Sequence, residues 1–311
     1  MRILIVDEMH DSLLPLLAET GAEADYRYDF GRKEAEEVIA GYEGLIIRSK
    51  FFIGEDFLDK ARNLRFIARA GAGLDLIDVA ACDRRGIRVF AANEANRVAV
   101  AEHLLGMVLS LFNHINTSGA EIRQHQWLRE KNRGEELQGK TVGIVGYGNN
   151  GSEAAARFAA FGCRVLVYDK YKTGFGTGQI EEAGLEEIFR HADVFSLHIP
   201  LTGETRGWVD AAFLDRFEKA FYFCNVARGE IMHQGDLIAA IRAGKVLGAC
   251  LDVLENEKLS TMTREQQQDF DFLKDHPRVI LTPHVAGWTR ESYRKINEVL
   301  CRKIAAFING D

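Results

Sequence analysis

The sequence predicts an α/β fold built from parallel sheets, and two observations carry this prediction. Short apolar runs alternate with amphipathic stretches of helical periodicity through nearly all of the 311 residues. Such alternation is typical of parallel strands joined by helices that cover both faces of a sheet. The second observation is a glycine-rich turn, residues 146–151, between an apolar strand and an alanine-rich helix. A chain of this length can bury two substantial cores, so we expect two α/β domains.

The alternation sets the predicted elements in chain order. The predicted strands are 2–6, 44–47, 64–68, 87–90, 141–145, 164–168, 194–198, 221–225, 246–251 and 279–281. The predicted helices are 12–19, 33–40, 56–61, 78–84, 97–116, 152–161, 185–191, 211–217, 235–243 and 289–308. A polar break at 93–96 predicts the first domain boundary, and the last helix is expected to return to the first domain. The polar, glutamine-rich stretch 255–275 predicts a loop with a short helix.

Composition narrows the class of protein. Hydrophobic residues make up 47% and charged residues 27% of the chain, which is typical of soluble globular proteins. The net charge of -7 argues against a general nucleic-acid or anionic-membrane surface, but it allows a local basic pocket. Five cysteines without a C-x-x-C pair predict buried core thiols in a reducing compartment rather than a zinc site or a disulfide framework. The N-terminus has no signal-peptide pattern, so we expect a cytoplasmic protein. We also expect no bound metal.

The glycine-rich turn has the spacing G-x-G-x-x-G and predicts dinucleotide binding. Gly146 permits the tight turn out of the strand, Gly148 lets a pyrophosphate approach the backbone, and Gly151 lets the helix pack closely. The N-terminus of the helix offers N–H groups and a partial positive charge to phosphates. Asp169 ends the next strand, where a carboxylate accepts hydrogen bonds from the adenosine ribose. A carboxylate there repels a 2′-phosphate, so we expect NAD rather than NADP.

Ionisable residues that follow strands are candidates for chemistry, because ligands bind at the carboxyl ends of strands in such sheets. Arg228 suits a carboxylate-bearing substrate, although a lone loop arginine is usually a solvated surface residue. His284 can exchange a proton near neutral pH, although structural histidines are common. Glu257 can orient an imidazole, and Glu255 is an equal candidate from the sequence.

A second glycine loop, residues 69–75, follows another predicted strand. Gly71 and Gly73 would expose backbone N–H groups and form an anion-binding nest. A plain glycine turn explains the same residues equally well.

Together these motifs resemble the D-isomer-specific 2-hydroxyacid dehydrogenases, especially the phosphoglycerate dehydrogenase branch. The matching segments are RAGAGLD (69–75), VAEHLLG (100–106), GYGNNG (146–151), LHIPLTGETRGWV (197–209), NVARGE (225–230), LDVLENE (251–257) and TPHVAG (282–287). The resemblance implies two Rossmann-like, doubly wound parallel-sheet domains, one flavodoxin-like and one NAD-binding, with a cleft between them. The substrate domain would comprise residues 1–96 and 285–311, and the dinucleotide-binding domain residues 97–284.

The resemblance also implies roles for individual residues. The catalytic set would be Arg228, Glu257 and His284. The cofactor would be bound by Gly146, Gly148, Asn149, Asn150, Gly151, Asp169, His198, Pro200, Thr205, Val226, Ala227 and Asp252. The substrate would be bound by Arg48, Lys50, Arg69, Ala72, Gly73, Arg228 and Trp288.

Several positions depart from the family pattern. Asn149 and Asn150 replace the usual arginine and isoleucine, Lys258 replaces a common proline, and Trp288 replaces a small residue.

Arg48 and Lys50 match positions that are basic in phosphoglycerate enzymes. Together with Arg69 they would suit a second anionic group such as a phosphate, although a scattered basic surface is an equal interpretation. Trp288 would instead favour a smaller or apolar acid.

The expected function is hydride transfer between NAD(H) and a D-2-hydroxy or 2-keto acid. The candidates are 3-phosphoglycerate, hydroxypyruvate and glyoxylate. An NAD-sensing regulator or corepressor of the same fold is an alternative, and a formate- or phosphite-type oxidation is a third. The resemblance implies a homodimer formed through the cofactor domain, and no nucleic-acid or membrane partner is expected.

Overall fold

The computed structural model describes residues 1–310, which form two compact units. Unit 1 comprises Met1–Arg97 and the C-terminal segment from Trp288, and unit 2 comprises Val98–Gly287. Each unit contains one sheet, and every strand pairing in both sheets is parallel. The predicted α/β class with parallel sheets is confirmed.

Unit 1 contains a five-stranded sheet in the order β2-β1-β3-β4-β5, which is the flavodoxin-like order. Its strands are β1 (Arg2–Ile5), β2 (Glu23–Tyr26), β3 (Gly44–Ile47), β4 (Phe66–Arg69) and β5 (Arg88–Ala91). Its helices are α1 (Leu13–Ala18), α2 (Arg32–Val38), α3 (Glu55–Leu58), α4 (Val79–Arg84) and α12 (Arg290–Asn309). Apolar side chains of β1 and β3 are fully buried between the helical layers, as expected for parallel strands covered on both faces.

Helix α12 begins with a capping box, because Thr289 and Ser292 each accept a hydrogen bond from the other's backbone N–H. Its buried residues Ile296, Leu300 and Ile304 are four positions apart and form one apolar stripe against the sheet of unit 1. Gly310 ends the helix in the left-handed conformation.

Unit 2 contains a seven-stranded sheet in the order β12-β11-β10-β9-β6-β7-β8. Its strands are β6 (Thr141–Val145), β7 (Arg164–Tyr168), β8 (Ile180–Glu182), β9 (Val194–Leu197), β10 (Phe221–Asn225), β11 (Val246–Leu251) and β12 (Val279–Leu281). Its helices are α5 (Arg97–Phe112), α6 (Ile115–Arg123), α7 (Asn149–Ala160), α8 (Leu185–His191), α9 (Ala211–Asp215), α10 (Gln234–Arg242) and α11 (Arg264–Asp275). The order of the first six strands is that of a Rossmann dinucleotide fold.

The register of unit 2 aligns the ends of its central strands. Val145 is level with Leu197, and Leu197 is level with Asn225. Asn225 is level with Leu251, which is level with Leu281. The loops that follow these five strands therefore begin at one edge of the sheet, where ligands bind in such folds.

The structure differs from the predicted elements in three respects. The helix predicted for 97–116 ends at Phe112, and α6 follows after a break in which His114 has φ 52°. Strands β2 and β8 were not predicted, because both lie at sheet edges and their exposed, charged residues give no apolar run. The 255–275 stretch contains α11, a helix of 12 residues begun by a Thr263–Gln266 capping box.

Within residues 1–310, no single helix is both long and apolar enough to cross a membrane; α5 and α6 meet that test only together, as a pair bent by 61°. All five cysteines are buried and free. In the same described range, no group of three or more His, Cys, Asp or Glu residues could hold a metal ion.

Candidate active site

The glycine-rich turn after β6 requires glycine at two positions for steric reasons. Gly146 has φ 97°, and a Cβ on it would lie 2.5 Å from the carbonyl oxygen of His198. A Cβ on Gly151 would lie 1.8 Å from the carbonyl oxygen of Gly146. Both contacts bring backbone against backbone, so a larger residue would separate the turn from its neighbours. Gly148 differs, because a Cβ there would meet no atom of residues 1–310 within 4 Å and would project into open space.

The N-terminus of α7 faces the same turn. Gly148 is its N-cap residue and offers no side-chain hydrogen bond, so the first N–H groups of the helix are left for another acceptor. Asn149 and Asn150 follow, and the buried Oδ1 of Asn150 has no hydrogen-bond partner within the described residues. An uncapped helix N-terminus and an open glycine fit the pyrophosphate of a dinucleotide.

Asp169 follows β7 and lies beside the turn. One carboxylate oxygen accepts a hydrogen bond from the N–H of Tyr147 at 2.6 Å, and the other accepts from the N–H groups of Tyr171 and Lys172, both at 2.9 Å. Burial opposes ionisation, but these hydrogen bonds hold the pKa of Asp169 below its ordinary value. The group is therefore an ionised acceptor, as a ribose-binding carboxylate must be.

His198 follows β9, the strand next to β6, and lies directly beside the glycine turn. Burial lowers the pKa of His198 to about 4, so the ring is neutral near pH 7. Its Nε2 lies 3.0 Å from the hydroxyl of Ser196. The hydroxyl of Thr205 donates to the carbonyl of Pro200 at 2.7 Å, which closes the loop that follows. These contacts shape the predicted adenosine side of the site.

The loop after β10 is held by Asn225, a fully buried residue. Its side-chain amide donates to the carbonyl of Arg228 at 2.9 Å and accepts from the backbone N–H of Ala227 at 3.0 Å. Val226 lies between Asn225 and Ala227, within the turn that these two hydrogen bonds hold. A Cβ on Gly229 would lie 1.9 Å from the carbonyl oxygen of Leu254. The Arg228 loop is thus pressed against the loop after β11.

His284 and Glu257 form a direct pair. The Nδ1 atom of His284 lies 3.0 and 2.9 Å from the two carboxylate oxygens of Glu257. Because a carboxylate only accepts hydrogen bonds, Nδ1 carries a proton, and Nε2 is the atom left to exchange one with a substrate. Both side chains are just under half exposed, at 45% and 44%, so a small molecule can reach them.

The surroundings of His284 favour its charged form. The hydrogen bond to Glu257 is the largest influence and raises the pKa of His284, with burial acting in the opposite direction. The negative charges of Glu257 and Asp252 raise it further, and the positive charge of Arg228 lowers it. Arg228 is therefore close enough to His284 for their charges to interact.

The structure distinguishes the two glutamates that the sequence left equal. Glu255 accepts a hydrogen bond from the N–H of Gln234 at 2.9 Å and lies 3.8 Å from His233. Burial raises the pKa of Glu255. It therefore supports the start of α10, whereas Glu257 is the carboxylate at His284.

Asp252 lies at the end of β11, is 2% exposed and was predicted to bind the cofactor. Its carboxylate accepts hydrogen bonds from the N–H groups of Val285 and Ala286 at 2.9 and 2.8 Å and from the hydroxyl of Thr282 at 2.5 Å. The side chain therefore holds the loop of His284. That loop borders a cavity of about 750 Å³ within unit 2.

Comparisons with known proteins give the family. Residues 105–286 match the model of the D-isomer specific 2-hydroxyacid dehydrogenase NAD binding domain. The hydroxypyruvate reductase of Thermotoga maritima is 33% identical over 273 residues, with 88% of this chain and 87% of that protein covered. This chain belongs to the D-isomer-specific 2-hydroxyacid dehydrogenase family. The resemblance on which the sequence analysis relied is confirmed, and so is a cofactor-binding domain for NAD.

Other members of the family extend the comparison. The D-3-phosphoglycerate dehydrogenase of Bacillus subtilis is 33% identical over 312 residues, with 99% of this chain covered. This chain spans only 57% of that protein's length. The crystal structure of D-lactate dehydrogenase from Aquifex aeolicus, complexed with NAD and lactic acid, superposes with a TM-score of 0.84 at 25% identity and covers 100% of this chain and 96% of that one.

The remaining predicted substrate-binding residues of this family member lie in unit 1. The Arg48 guanidinium lies 4.9 Å above the ring of Trp288, and Lys50 donates to the carbonyl of Tyr28. The Arg69 side chain fills the space where a Cβ on Gly71 would stand.

The predicted anion nest follows β4. The N–H groups of Ala72 and Gly73 make no hydrogen bond within residues 1–310, as an anion-binding loop requires. Whether these groups bind a substrate carboxylate stays a prediction.

Sequence reasoning assigned no role to Asn225, Thr282 or His103. Asn225 carried a usable signal, because a polar residue ending an apolar strand needs buried hydrogen-bond partners. Thr282 and His103 carried none, because 179 residues separate them in the chain and only the fold brings them together.

Proposed function

We propose that this chain catalyses reversible hydride transfer between NAD(H) and a D-2-hydroxy acid and its 2-keto acid. The observation that carries the proposal is the His284–Glu257 pair, at 2.9–3.0 Å, with Arg228 close enough to influence the pKa of the imidazole. A protonated imidazole beside a guanidinium suits a substrate that carries a carboxylate next to a carbonyl.

Each of the three residues has one role in the reducing direction. Arg228 binds the substrate carboxylate and polarises the keto oxygen. His284 donates a proton from Nε2 to that oxygen as the alcohol forms. Glu257 keeps the imidazole charged and fixes its orientation through Nδ1. In the oxidising direction neutral His284 accepts the hydroxyl proton at the same atom.

The residues of the glycine turn would hold the cofactor. Gly148 and the N–H groups at the start of α7 would bind the pyrophosphate, and Asp169 would accept from the adenosine ribose. When bound, the nicotinamide supplies or accepts the hydride. The ionised state of Asp169 supports a preference for NAD over NADP.

The substrate is proposed from the relatives and from the charges of unit 1. The curated relatives include D-3-phosphoglycerate dehydrogenases and a hydroxypyruvate reductase. We propose a short 2-keto acid of this kind, with 3-phosphohydroxypyruvate, hydroxypyruvate and glyoxylate as the compounds to test first. Arg48, Lys50 and Arg69 favour the phosphorylated compound, and Trp288 favours a smaller one.

A 2-keto acid panel with NADH tests the proposal. Decreasing absorbance at the NADH band with one of these acids, abolished in His284→Asn, is the expected result. NADH binding without turnover on any acid of the panel would instead favour an NAD-sensing regulator. Formate and phosphite with NAD test the third possibility in the same assay.

We further propose a cytoplasmic homodimer formed through α5 and α6. Large apolar side chains are exposed on and just after α6: Ile115 at 56%, Ile122 at 49%, Trp127 at 83% and Leu128 at 39%. Such a cluster is typical of a surface that binds another protein. Light scattering should give twice the 34.9 kDa chain mass, and a monomer at micromolar concentration would contradict the proposal.

A further inference from the structure

The loop that carries His284 adopts a backbone conformation that needs support. His284 has φ 54°, in the left-handed region where a residue with a Cβ is strained. Such a conformation persists only where surrounding contacts hold it. The N–H of His284 donates to the carbonyls of Asp252 at 2.8 Å and Thr282 at 3.0 Å, and Asp252 binds the two N–H groups that follow.

Asp252 is itself held by Thr282, which is in turn held by α5. The hydroxyl of Thr282 lies 2.5 Å from Oδ1 of Asp252 and 2.9 Å from Nε2 of His103. The hydroxyl donates its one proton to Asp252, so the hydroxyl oxygen accepts from the Nε2–H of His103. Met107, one turn further along α5, lies 3.9 Å from the same hydroxyl through its sulfur.

We infer that Thr282 and His103 are positioning residues, which act through Asp252 to fix the His284 loop. This inference rests on the proposed function of His284 and adds two residues to the site. Within residues 1–310, neither side chain makes a hydrogen bond to the imidazole of His284, which is paired with Glu257. Their effect is on geometry, because a carboxylate with one donor removed holds the N–H groups of Val285 and Ala286 less firmly.

A pair of substitutions at one position separates the hydroxyl from the packing of the side chain. Thr282→Val keeps the shape and removes the hydroxyl, and Thr282→Ser keeps the hydroxyl and removes the methyl group. Thr282→Val should lower kcat about 10- to 100-fold, because small displacements of a catalytic group have effects of this size. KM for NADH should stay within about threefold, and Thr282→Ser should retain most of the wild-type kcat.

Substitutions at His103, on α5, test whether the hydrogen bonds from His103 through Thr282 to Asp252 act as one network. His103→Leu removes the donor, and His103→Gln retains an N–H in a similar place. His103→Leu should lower kcat in the wild-type background and have little further effect in Thr282→Val, because residues in one network are non-additive. Full additivity of the two effects would overturn the inference for His103.

Amide hydrogen exchange gives a readout that does not depend on turnover. In the full-length protein with NAD, Val285 and Ala286 should exchange faster in Thr282→Val than in the wild type or in Thr282→Ser. Unchanged exchange and kcat in Thr282→Val, or equal losses in the valine and serine variants, would overturn the inference. If no acid were reduced by the wild type, the proposed function would fail, and the exchange comparison would still decide whether Thr282 holds the loop.

Discussion

The two sheets of this protein have similar topology and different ligand-binding edges. In each sheet the strand order reverses beside its first strand, between β1 and β3 in unit 1 and between β6 and β9 in unit 2. In unit 2 that point has a glycine turn, an uncapped helix N-terminus and an open backbone position at Gly148. These are the features that a dinucleotide needs.

The corresponding point of unit 1 is closed by a carboxylate. Asp7 follows β1, is 5% exposed, and accepts hydrogen bonds from the N–H groups of Arg48 and Ser49 at 2.6 and 3.2 Å. The N–H groups of Arg48 and Ser49 are therefore already paired, and the Asp7 carboxylate occupies the place where a phosphate would meet them. The N–H groups of Ala72 and Gly73, which lack a partner among the described residues, lie instead after β4. Topology thus marks a position at the sheet edge, and the residues there decide whether a ligand can bind.

The largest expected effect tests whether proton transfer belongs to unit 2 alone. His284→Asn removes the imidazole and keeps a small polar side chain. It should lower kcat about 10²- to 10⁴-fold, the usual size of a general acid contribution. NADH binding, measured by fluorescence titration, should change little, because the glycine turn is untouched. A turnover within threefold of the wild type would remove His284 from the proton-transfer role.

A matched pair of arginine substitutions compares the two units directly. Arg228→Gln should raise the activation free energy for the best keto acid by about 2–5 kcal/mol, which lowers kcat/KM roughly 30- to 5000-fold, because it leaves the substrate carboxylate unpaired. Arg48→Gln makes the same chemical change in unit 1 and should cost less. Steady-state kinetics of both variants on one substrate give the ratio. A larger loss in Arg48→Gln would assign carboxylate binding to unit 1.

The sequence predicted the sheet edge of unit 2 better than the contacts along it. The strands before Gly146, His198, Arg228 and His284 were predicted because each is an apolar run followed by a polar loop. Residue type and spacing did not separate Glu255 from Glu257, and only the resemblance to the family selected Glu257. Both lie in one acidic loop, and only the backbone path sends one to α10 and the other to His284.

Unit 1 was predicted less completely for a physical reason. Strand β2 pairs on one side only and has no fully buried residue, so no apolar run announces it. The contact of Arg48 with Trp288 joins residues far apart in the chain, and residue spacing carries no information about it. Patterns of burial are local in sequence, and contacts between loops are not.

Removing the negative charge of Glu257 should shift the pH profile of kcat/KM. His284 must be protonated to reduce a keto acid, and Glu257 raises its pKa. Glu257→Gln removes the negative charge, so the pKa of His284 should fall. The alkaline limb of kcat/KM for reduction should move to lower pH, and the acidic limb for oxidation should move the same way. At a fixed pH on the alkaline limb, kcat/KM should fall about tenfold for each pH unit by which that limb moves.

The control for this prediction is Glu255→Gln. That carboxylate contacts Gln234, and within residues 1–310 it makes no hydrogen bond to His284, so its loss should leave the position of both limbs unchanged. A profile that moves in Glu255→Gln and stays fixed in Glu257→Gln would reverse the assignment of the two residues.

Cofactor preference tests the role of Asp169, the carboxylate beside the glycine turn. The wild type should use NADH at least about tenfold more efficiently than NADPH, because ionised Asp169 repels a 2′-phosphate. The two lysines near Asp169 offset its negative charge only in part, because Lys170 is paired with Glu204 and Lys172 donates to the carbonyl of Tyr147. Asp169→Ala should reduce the ratio of the two kcat/KM values. Equal efficiency in the wild type would contradict the preference.

The smallest expected effect comes from the cation–π contact between Arg48 and Trp288 in unit 1. The Arg48 guanidinium lies 4.9 Å above Trp288, whose ring is 4.9 Å from that of Tyr293. An exposed cation–π contact is worth about 0.5–1 kcal/mol, so Trp288→Ala should raise KM for a phosphorylated keto acid about 2- to 5-fold. Trp288→Phe retains an aromatic face and should raise it less.

The same variants decide what Trp288 does for the substrate. If the ring only holds Arg48, KM for glyoxylate, which lacks a second anionic group, should stay within twofold in Trp288→Ala. If the ring instead limits the space beside the substrate, the variant should gain activity on a bulky 2-keto acid and its KM for the phosphorylated one should not rise. The first outcome assigns unit 1 to anion recognition, and the second assigns it to selection by size.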